Sequence, residues 1–177
     1  MDREFELETE RLRLRCYRRS DLDNLEAILG DPETMRYYPE SYSRARVLEW
    51  IEDNIRRYRE DGSGLWAMEL RESGEFAGNC GPAVRVVQGR PQIELGWHVV
   101  RPLWGQGLAP EAAAACRDWA FEHLDAERVI ALVRPENLPS RRVAEKIGMR
   151  VEEEIIYGQL SWVHLVYAVH RPHTDPP

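Results

Sequence analysis

A glycine-rich turn between an apolar strand and an alanine-rich helix is the feature that most constrains this chain. Within "RPLWGQGLAPEAAAACRDWAF", residues 101–121, Gly105 and Gly107 stand two residues apart. Glycine adopts backbone conformations that a side chain forbids and lets a ligand approach closely. Pro110 suits the first turn of a helix, and the free N–H groups of that helix start point back at the turn. The segment therefore predicts an anion site made of backbone N–H groups and reinforced by the helix dipole.

Three nucleotide-binding arrangements place glycines before a helix, and the residues present distinguish between them. A Walker-type loop requires GxxxxGK[ST], but no Lys or Ser/Thr stands here to hold phosphate and magnesium. A dinucleotide fingerprint requires GxGxxG, but Pro110 occupies the place of the third glycine. A pyrophosphate held by backbone N–H groups alone fits best, and a tight turn that binds nothing is the alternative. The predicted cradle consists of Leu103, Trp104, Gly105, Gln106, Gly107, Leu108 and Ala109.

The remaining hydrophobic patterns predict a mixed α+β fold with a largely antiparallel sheet. Strand-like alternation appears at residues 9–17, 65–71, 75–87, 90–100, 128–134, 149–158 and 161–170. Helical periodicity appears at residues 20–30, 43–60 and 110–123, and a short helix begins near Pro139. No repeat or low-complexity linker divides the chain. We therefore expect a single domain over residues 1–170 and a solvated tail at residues 171–177.

Composition limits the class of partner and the compartment. The net charge of −7 disfavours nucleic acid, because phosphate contacts require a concentrated basic face. No apolar stretch approaches the ~20 residues of a membrane span, and the charged residues 1–15 do not resemble a secretory signal. The cysteines are odd in number and lack metal-ligand spacing, so we expect reduced core thiols at Cys16, Cys80 and Cys116. A cytoplasmic protein without membrane contact and without a bound metal is the expectation.

The glycine turn resembles the phosphate loop of the GNAT superfamily of acetyl-CoA-dependent N-acetyltransferases. The family pattern is [QR]-x-x-G-x-[GA], and residues 104–109 match it except for Trp104, where Gln or Arg is usual. With Trp at that position, "WGxGxAxEA" is similar to the branch that acetylates ribosomal-protein N-termini. The stretches "TERLRLR", "IELGWHV" and "RPENLPSRRVAEKIGM" are also similar to that branch. The resemblance extends from about Thr9 to His170.

The resemblance implies a mixed, mostly antiparallel sheet, splayed between its fourth and fifth strands and flanked by about four helices. "LGWHVV" would lie along one side of that split and pair its backbone with the pantetheine arm of acetyl-CoA, as an added strand does. The N–H groups of residues 103–109 would bind the pyrophosphate. Asn137 would hydrogen-bond the pantetheine or the first turn of the next helix. A backbone N–H of Trp97, His98 or Val99 would polarise the thioester carbonyl.

Direct acetyl transfer to an amine needs an acid for the departing thiolate. Many family members have a tyrosine seven residues after the motif Asn, where this chain has Ala144. The branch that the chain resembles suggests Ser140 as the substitute. A serine beside a helix start is equally a cap, so that alternative stays open. Tyr157 and Tyr167 are weaker candidates for the acid.

Two residues of the strand before the turn are candidates for the base. Glu94 stands among apolar neighbours, which would raise its pKa, unless it is an outward charge on an alternating strand. His98 has a suitable natural pKa, but a lone strand histidine also serves structural roles. The acceptor is expected to bind where the two early helices overhang the sheet. Tyr37, Tyr38 and Tyr42 would line a hydrophobic wall of that site, unless they simply form a packed loop.

These inferences favour an enzyme that uses acetyl-CoA as co-substrate and no metal. The acceptor is expected to be a primary amine, either a protein N-terminus or a small molecule. The resemblance is also consistent with a homodimer. Because the usual tyrosine is missing, a non-catalytic acyl-CoA-binding module is the alternative function.

Overall fold

An eight-stranded sheet forms the centre of the molecule, whose computed structural model describes residues 5–172. In chain order the strands are β1 Glu6–Glu8, β2 Leu12–Arg15, β3 Trp66–Leu70, β4 Phe76–Val87, β5 Arg90–Val99, β6 Arg128–Val133, β7 Arg150–Tyr157 and β8 Trp162–His170. Their spatial order is β1-β2-β3-β4-β5-β6-β8-β7. All neighbours are antiparallel except β5 and β6, which run parallel. The mixed, mostly antiparallel sheet predicted from the sequence is confirmed.

Four α-helices flank the sheet within the described residues: α1 Leu22–Leu29, α2 Arg44–Glu60, α3 Leu108–His123 and α4 Leu138–Lys146. Helix α3 begins two residues earlier than the sequence pattern indicated. Gly107 is its N-cap in a left-handed conformation, so Leu108 and Ala109 already belong to the first turn. Pro110 then occupies the third helical position, where a backbone N–H still has no partner within the helix.

The predicted split in the sheet lies between β5 and β6. These strands pair only at Ile93–Val129 and Glu94–Ile130 and then diverge. The backbone of residues 95–99 therefore has no strand partner on that side. Strand β1, which the sequence did not reveal because three residues are too few to establish a hydrophobic pattern, raises the strand count by one. The split between the fourth and fifth predicted strands is thus the one between β5 and β6.

Helix α3 packs closely on the sheet through small residues. Ala112, Ala113, Cys116 and Ala120 are fully buried in the main core together with residues of β2, β3 and β4. A second cluster joins α1 and α2 through Leu25, Ile28, Leu29, Val47 and Ile51. None of the three cysteines forms a disulfide, and Cys80 and Cys116 are buried. This packing brings the start of α3 to the end of β5, beside the split.

The end of the described chain is attached to the sheet. The Arg171 N–H donates to Glu127 O at 2.9 Å, and Arg171 Nε donates to Ala126 O at 3.0 Å. Residues 173–177 of the expected tail lie outside the described residues. No helix between residues 5 and 172 has the length and apolar character needed to cross a membrane. In that same range, no three His, Cys, Asp or Glu side chains cluster as a metal-binding group.

Candidate active site

The glycine turn follows a short 3-10 turn, Arg101–Leu103, at the end of β5. Gly105 has a φ of +78° and Gly107 a φ of +80°, both in the left-handed region that favours glycine. A Cβ at Gly105 would meet no atom within 4 Å, so that glycine is required by backbone conformation and not by crowding. The first N–H groups of α3 have no partner within the helix. They are therefore free to bind an anion beside the turn.

An ion-pair network from the residues before β2 fixes this turn. Arg11 Nη1 donates to Gln106 O at 2.9 Å, and Arg11 Nε donates to Glu111 Oε2 at 2.7 Å. Thr9 Oγ1 donates to Glu111 Oε1 at 2.6 Å. Burial alone would raise the pKa of Glu111, but the hydrogen bonds from Thr9 and Arg11 outweigh it and lower that pKa. The network holds the first turn of α3 in place against the N-terminal strands.

Trp104 has a structural role in the same turn. Its indole Nε1 donates to Val99 O at 2.6 Å and so attaches the turn to the last residue of β5. Trp104 is nonetheless 41% exposed. The departure from the family pattern thus exchanges a flexible polar side chain for a rigid donor.

A groove of about 480 Å³ runs along the turn. The predicted cofactor-binding residues that line it are Trp97, His98, Val99, Leu103, Trp104, Gly105, Gly107, Leu108, Ala109 and Asn137. Gln106 is not among the lining residues, and its carbonyl accepts the hydrogen bond from Arg11. Sequence reasoning missed three cations of the lining, Arg36, Arg142 and Lys146. Arg142 and Lys146 are four residues apart on α4, a spacing that by itself is only a solvated helix face.

A second cavity of about 300 Å³ opens on the other side of the split, and we call it the acceptor cavity. Seven tyrosine and tryptophan residues form part of its wall: Tyr37, Tyr38, Tyr42, Trp50, Trp97, Tyr157 and Trp162. The three tyrosines predicted to form a wall are among them. Arg85, Trp50 and Trp162 were not assigned to the site from the sequence, because they come from β4, α2 and β8 and share no local pattern.

The groove and the acceptor cavity meet where β5 and β6 diverge. The residues lining both are Tyr37, Tyr38, Trp97, His98, Asn137 and Ser140. Two of the three predicted catalytic residues, His98 and Ser140, therefore lie at this junction. The third, Glu94, lines only the acceptor cavity and not the groove. An acyl group at the inner end of the groove would face a molecule held in the cavity.

The start of α4 presents Ser140 at the junction. Asn137 caps the helix, since its Oδ1 accepts a hydrogen bond of 3.2 Å from the Ser140 N–H. Ser140 is thus the third residue of the helix and not its cap. Its hydroxyl makes no hydrogen bond within residues 5–172. Ala144, which stands where many family members have a tyrosine, is fully buried and offers no acid.

The two tyrosine candidates for the acid, Tyr167 and Tyr157, lie in different parts of the molecule. Tyr167 is 1% exposed, and its hydroxyl donates to Glu145 Oε1 at 3.0 Å and accepts from Arg141 Nε at 3.1 Å. Tyr167 lines neither the groove nor the acceptor cavity. Tyr157 lines the acceptor cavity, on the side formed by the β7–β8 hairpin.

Glu94 projects into the acceptor cavity from the last paired residue of β5 and β6. Its Oε2 accepts a hydrogen bond of 3.0 Å from Arg85 Nε. Burial raises the pKa of Glu94, and the positive charge of Arg85 only partly opposes this. Glu94 is therefore a lining carboxylate and not an outward charge on an alternating strand.

His98 is held at the junction by both ring nitrogens. Nδ1 lies 3.0 Å from Asn79 Oδ1, and Nε2 lies 2.9 Å from Tyr38 Oη. Burial lowers the pKa of His98 to about 4, so the ring is neutral at neutral pH.

Comparisons with known proteins agree with this architecture. Residues 11–150 match the sequence profile of the family described as acetyltransferase (GNAT) domain. The chain is 37% identical over 156 residues to the uncharacterized protein YkkB of Bacillus subtilis (strain 168), covering 88% of this chain and 91% of that protein. The acetyltransferase from Agrobacterium tumefaciens str. C58 has a TM-score of 0.82 at 29% identity, covering 94% of this chain and 95% of that chain.

A more distant neighbour was solved with a ligand. RimL, a ribosomal L7/L12 alpha-N-protein acetyltransferase in complex with coenzyme A, has a TM-score of 0.75 at 16% identity. The match covers 94% of this chain and 98% of that chain, and at this identity it shows the fold alone. The profile match, the relative in Bacillus and the divided sheet with its glycine turn lead to one conclusion. The chain belongs to the GNAT family of N-acetyltransferases.

Proposed function

We propose that this enzyme transfers the acetyl group of acetyl-CoA directly to a primary amine. The observation that carries the proposal is the meeting of the groove and the acceptor cavity at the β5–β6 split. Two substrates that enter from these compartments come into contact at that junction. Such a geometry favours attack within a ternary complex, which needs no covalent acyl-enzyme.

The groove suits coenzyme A in its charge and its backbone groups. The turn and the start of α3 offer free N–H groups to a pyrophosphate. Arg142 and Lys146 add positive charge, whereas Arg36 is paired with Glu33, which also lines the groove. The unpaired backbone of residues 95–99 offers a strand edge to the amides of a pantetheine arm. The coenzyme A complex of RimL, which shares the fold, also supports coenzyme A as the ligand of this groove.

The acceptor cavity suits a primary amine. Glu94, whose pKa is raised by burial, takes a proton from the incoming ammonium. A backbone N–H of Trp97, His98 or Val99 stabilises the oxyanion that forms at the thioester carbonyl. Ser140 donates its hydroxyl hydrogen bond to the departing sulfur. We propose a protein N-terminus or a small-molecule amine as the acceptor, since the cavity of about 300 Å³ is open to either.

An acetylation screen tests the proposal. The purified protein is mixed with acetyl-CoA and peptides with free N-termini, polyamines, amino acids or aminoglycosides, and release of the coenzyme A thiol is measured. We expect release that depends on one class of amine. Thermal stabilisation by coenzyme A without turnover across the panel would favour a non-catalytic binding module. Absence of any stabilisation at saturating coenzyme A would contradict the groove assignment as well.

A further inference from the structure

The hydrogen bonds of His98 fix its tautomer. Asn79 Oδ1 carries no proton, so the Nδ1 atom 3.0 Å away must be the donor. In a neutral ring Nε2 is then an acceptor, and it receives the hydroxyl proton of Tyr38 across 2.9 Å. The lone pairs of Tyr38 Oη remain available to a group in the junction. A chain of three side chains therefore leads from the buried strand β4 to the place where the two compartments meet.

Asn79 is placed to orient this ring. It lies directly opposite His98 in the β4–β5 pairing and is fully buried. Burying an amide costs free energy unless hydrogen bonds compensate for the lost water. Its oxygen is used on the His98 ring, while its Nδ2 has no hydrogen-bond partner among residues 5–172. The bond from the oxygen holds the ring plane and the tautomer together. A hydrophobic side chain of the same size would fill the space without doing either.

We propose that Tyr38 and His98 form a proton relay for the acetyl transfer, and that Asn79 is the positioning residue that fixes the relay. The inference rests on the proposed function and deepens it. Tyr38 is the member that would touch the amine, because its hydroxyl reaches the junction. Asn79 acts only through His98.

The relay handles the proton that the attack releases, after Glu94 has taken the first proton from the ammonium. As the amine nitrogen bonds to the thioester carbonyl carbon, its proton passes to Tyr38 Oη, while the Tyr38 proton passes to His98 Nε2. When the carbon–sulfur bond breaks, the electron pair leaves with sulfur. The proton then returns from Nε2 through Tyr38 to the thiolate. Glu94 then releases its proton to solvent, so the products are the amide and the free thiol and the protein returns to its starting state.

The environment suits a relay that must not keep the proton. Burial lowers the pKa of His98 to about 4, and desolvation raises the pKa of Tyr38. Both side chains are therefore neutral before the reaction. A protonated His98 in this site is a stronger acid than an exposed imidazolium, and so it gives the proton back readily.

The tautomer is the first test, and it does not depend on turnover. Long-range proton–nitrogen spectra of the full-length protein with labelled histidine report which ring nitrogen carries the proton. We expect Nδ1–H for His98 in the wild type and in Asn79→Asp, which keeps an acceptor oxygen. Asn79→Leu should lose that preference while remaining folded by its melting curve. Protonated Nε2 in the neutral wild-type ring, or an unchanged tautomer in folded Asn79→Leu, would overturn the proposal.

Kinetics provide the second test. Tyr38→Phe and His98→Gln should each reduce kcat by about 100-fold or more, with little change in the KM for acetyl-CoA. Because the two residues act as one unit, the double variant should be no slower than the slower single variant. His123→Gln is the matched control, since His123 is exposed on α3 and lines neither compartment.

The outcomes separate the relay from the proposed function. Losses that multiply in the double variant, or normal turnover in Tyr38→Phe, would overturn the relay while leaving acetyl transfer established. If the wild type acetylates no amine in the panel, the proposed function fails and the relay fails with it. The tautomer measurement then still decides whether Asn79 orients His98.

Discussion

Burial governs the protonation of two side chains at the β5–β6 split. Glu94 is buried enough to raise its pKa, and Arg85 keeps it within reach of ionisation. His98 remains neutral because burial lowers its pKa to about 4. Burial thus favours the neutral form of both an acidic and a basic side chain four residues apart on one strand, raising the pKa of Glu94 and lowering that of His98. This pair of environments suits acid–base chemistry near neutral pH.

Replacement of Glu94 tests its role as the base. The base must be ionised, so the rate should rise with pH through the raised pKa of Glu94, above the value of ~4.3 for an exposed glutamate. Glu94→Gln should lower kcat/KM by about 100-fold and remove this acid-side limb. The measurement is kcat/KM against pH. A normal rate with an unchanged profile would exclude Glu94 as the base.

Ser140 is tested by removal of its hydroxyl. Ser140→Ala leaves the cap of α4 intact, because Asn137 accepts from the backbone N–H of residue 140. We expect kcat to fall by about 100-fold, with a smaller change in the KM for acetyl-CoA. Ser73→Ala, in the exposed turn between β3 and β4, is the matched control and should retain full activity. Unaltered turnover in Ser140→Ala would exclude Ser140 as the hydrogen-bond donor to the departing thiolate.

At the scale of elements, the junction of β5 and α3 determines what the groove can bind. The strand ends at Val99, Trp104 is attached to that residue, and α3 starts directly after two glycines with positive φ. The turn was recognisable from the sequence because all of its parts are contiguous. Arg11, which holds Gln106 from a distance of 95 residues in the chain, was not recognisable because no local pattern indicates such a partner.

Substitution of Gly107 tests the pyrophosphate cradle. Gly107→Val should add backbone strain of at least about 1–2 kcal/mol and bring a branched side chain against Arg11 Nη2, 3.6 Å from the Cβ position, so that the turn is distorted. Gly74→Val is the matched control, since Gly74 also has a positive φ, +72°, and open space but lies in the β3–β4 turn. Both variants should lose stability, measured by urea unfolding. Only Gly107→Val should lose affinity for coenzyme A by calorimetry, and equal affinities would contradict the cradle.

At the scale of the whole molecule, an ion-pair network joins the sheet to the first helices. Arg15 donates two hydrogen bonds of 2.8 Å to Asp21 and one of 2.7 Å to Glu69. Burial would raise the pKa of both carboxylates. Hydrogen bonds from Arg15 and the Arg18 backbone at Asp21, and from Arg13 and Arg15 at Glu69, outweigh it and lower both pKa values. A lowered pKa stabilises the folded state above the unfolded-state pKa, and this stability is lost as the pH falls through the folded-state value.

Replacement of Asp21 tests this network. Asp21→Asn should lower the free energy of unfolding by about 3 kcal/mol at pH 7, because it leaves part of the buried Arg15 charge uncompensated. The loss should shrink as the pH falls, since acid protonates Asp21 in the wild type. The measurement is urea unfolding at several pH values. Asp53→Asn, which breaks the exposed ion pair with Arg56, should change stability far less.

The sequence predicted the fold better than the contacts within the site. Alternating and helical periods located seven of the eight strands and the four helices, since each is a local pattern. The partners of His98 come from Asn79 and Tyr38, on separate elements, and register alone decides that they meet. The assignment of the Gln106 backbone N–H to the cradle stays a prediction. The expected homodimer stays a prediction.

The common wall of the groove and the acceptor cavity has a thermodynamic consequence. Six residues line both compartments, so a ligand bound in one compartment changes the surface that a ligand in the other compartment contacts. Thermodynamic linkage makes this effect reciprocal. If a ligand in the groove changes the affinity for a ligand in the cavity by some factor, the second ligand changes the affinity for the first by the same factor. The affinity for an acceptor therefore depends on whether the groove is occupied, and it should be measured in both states.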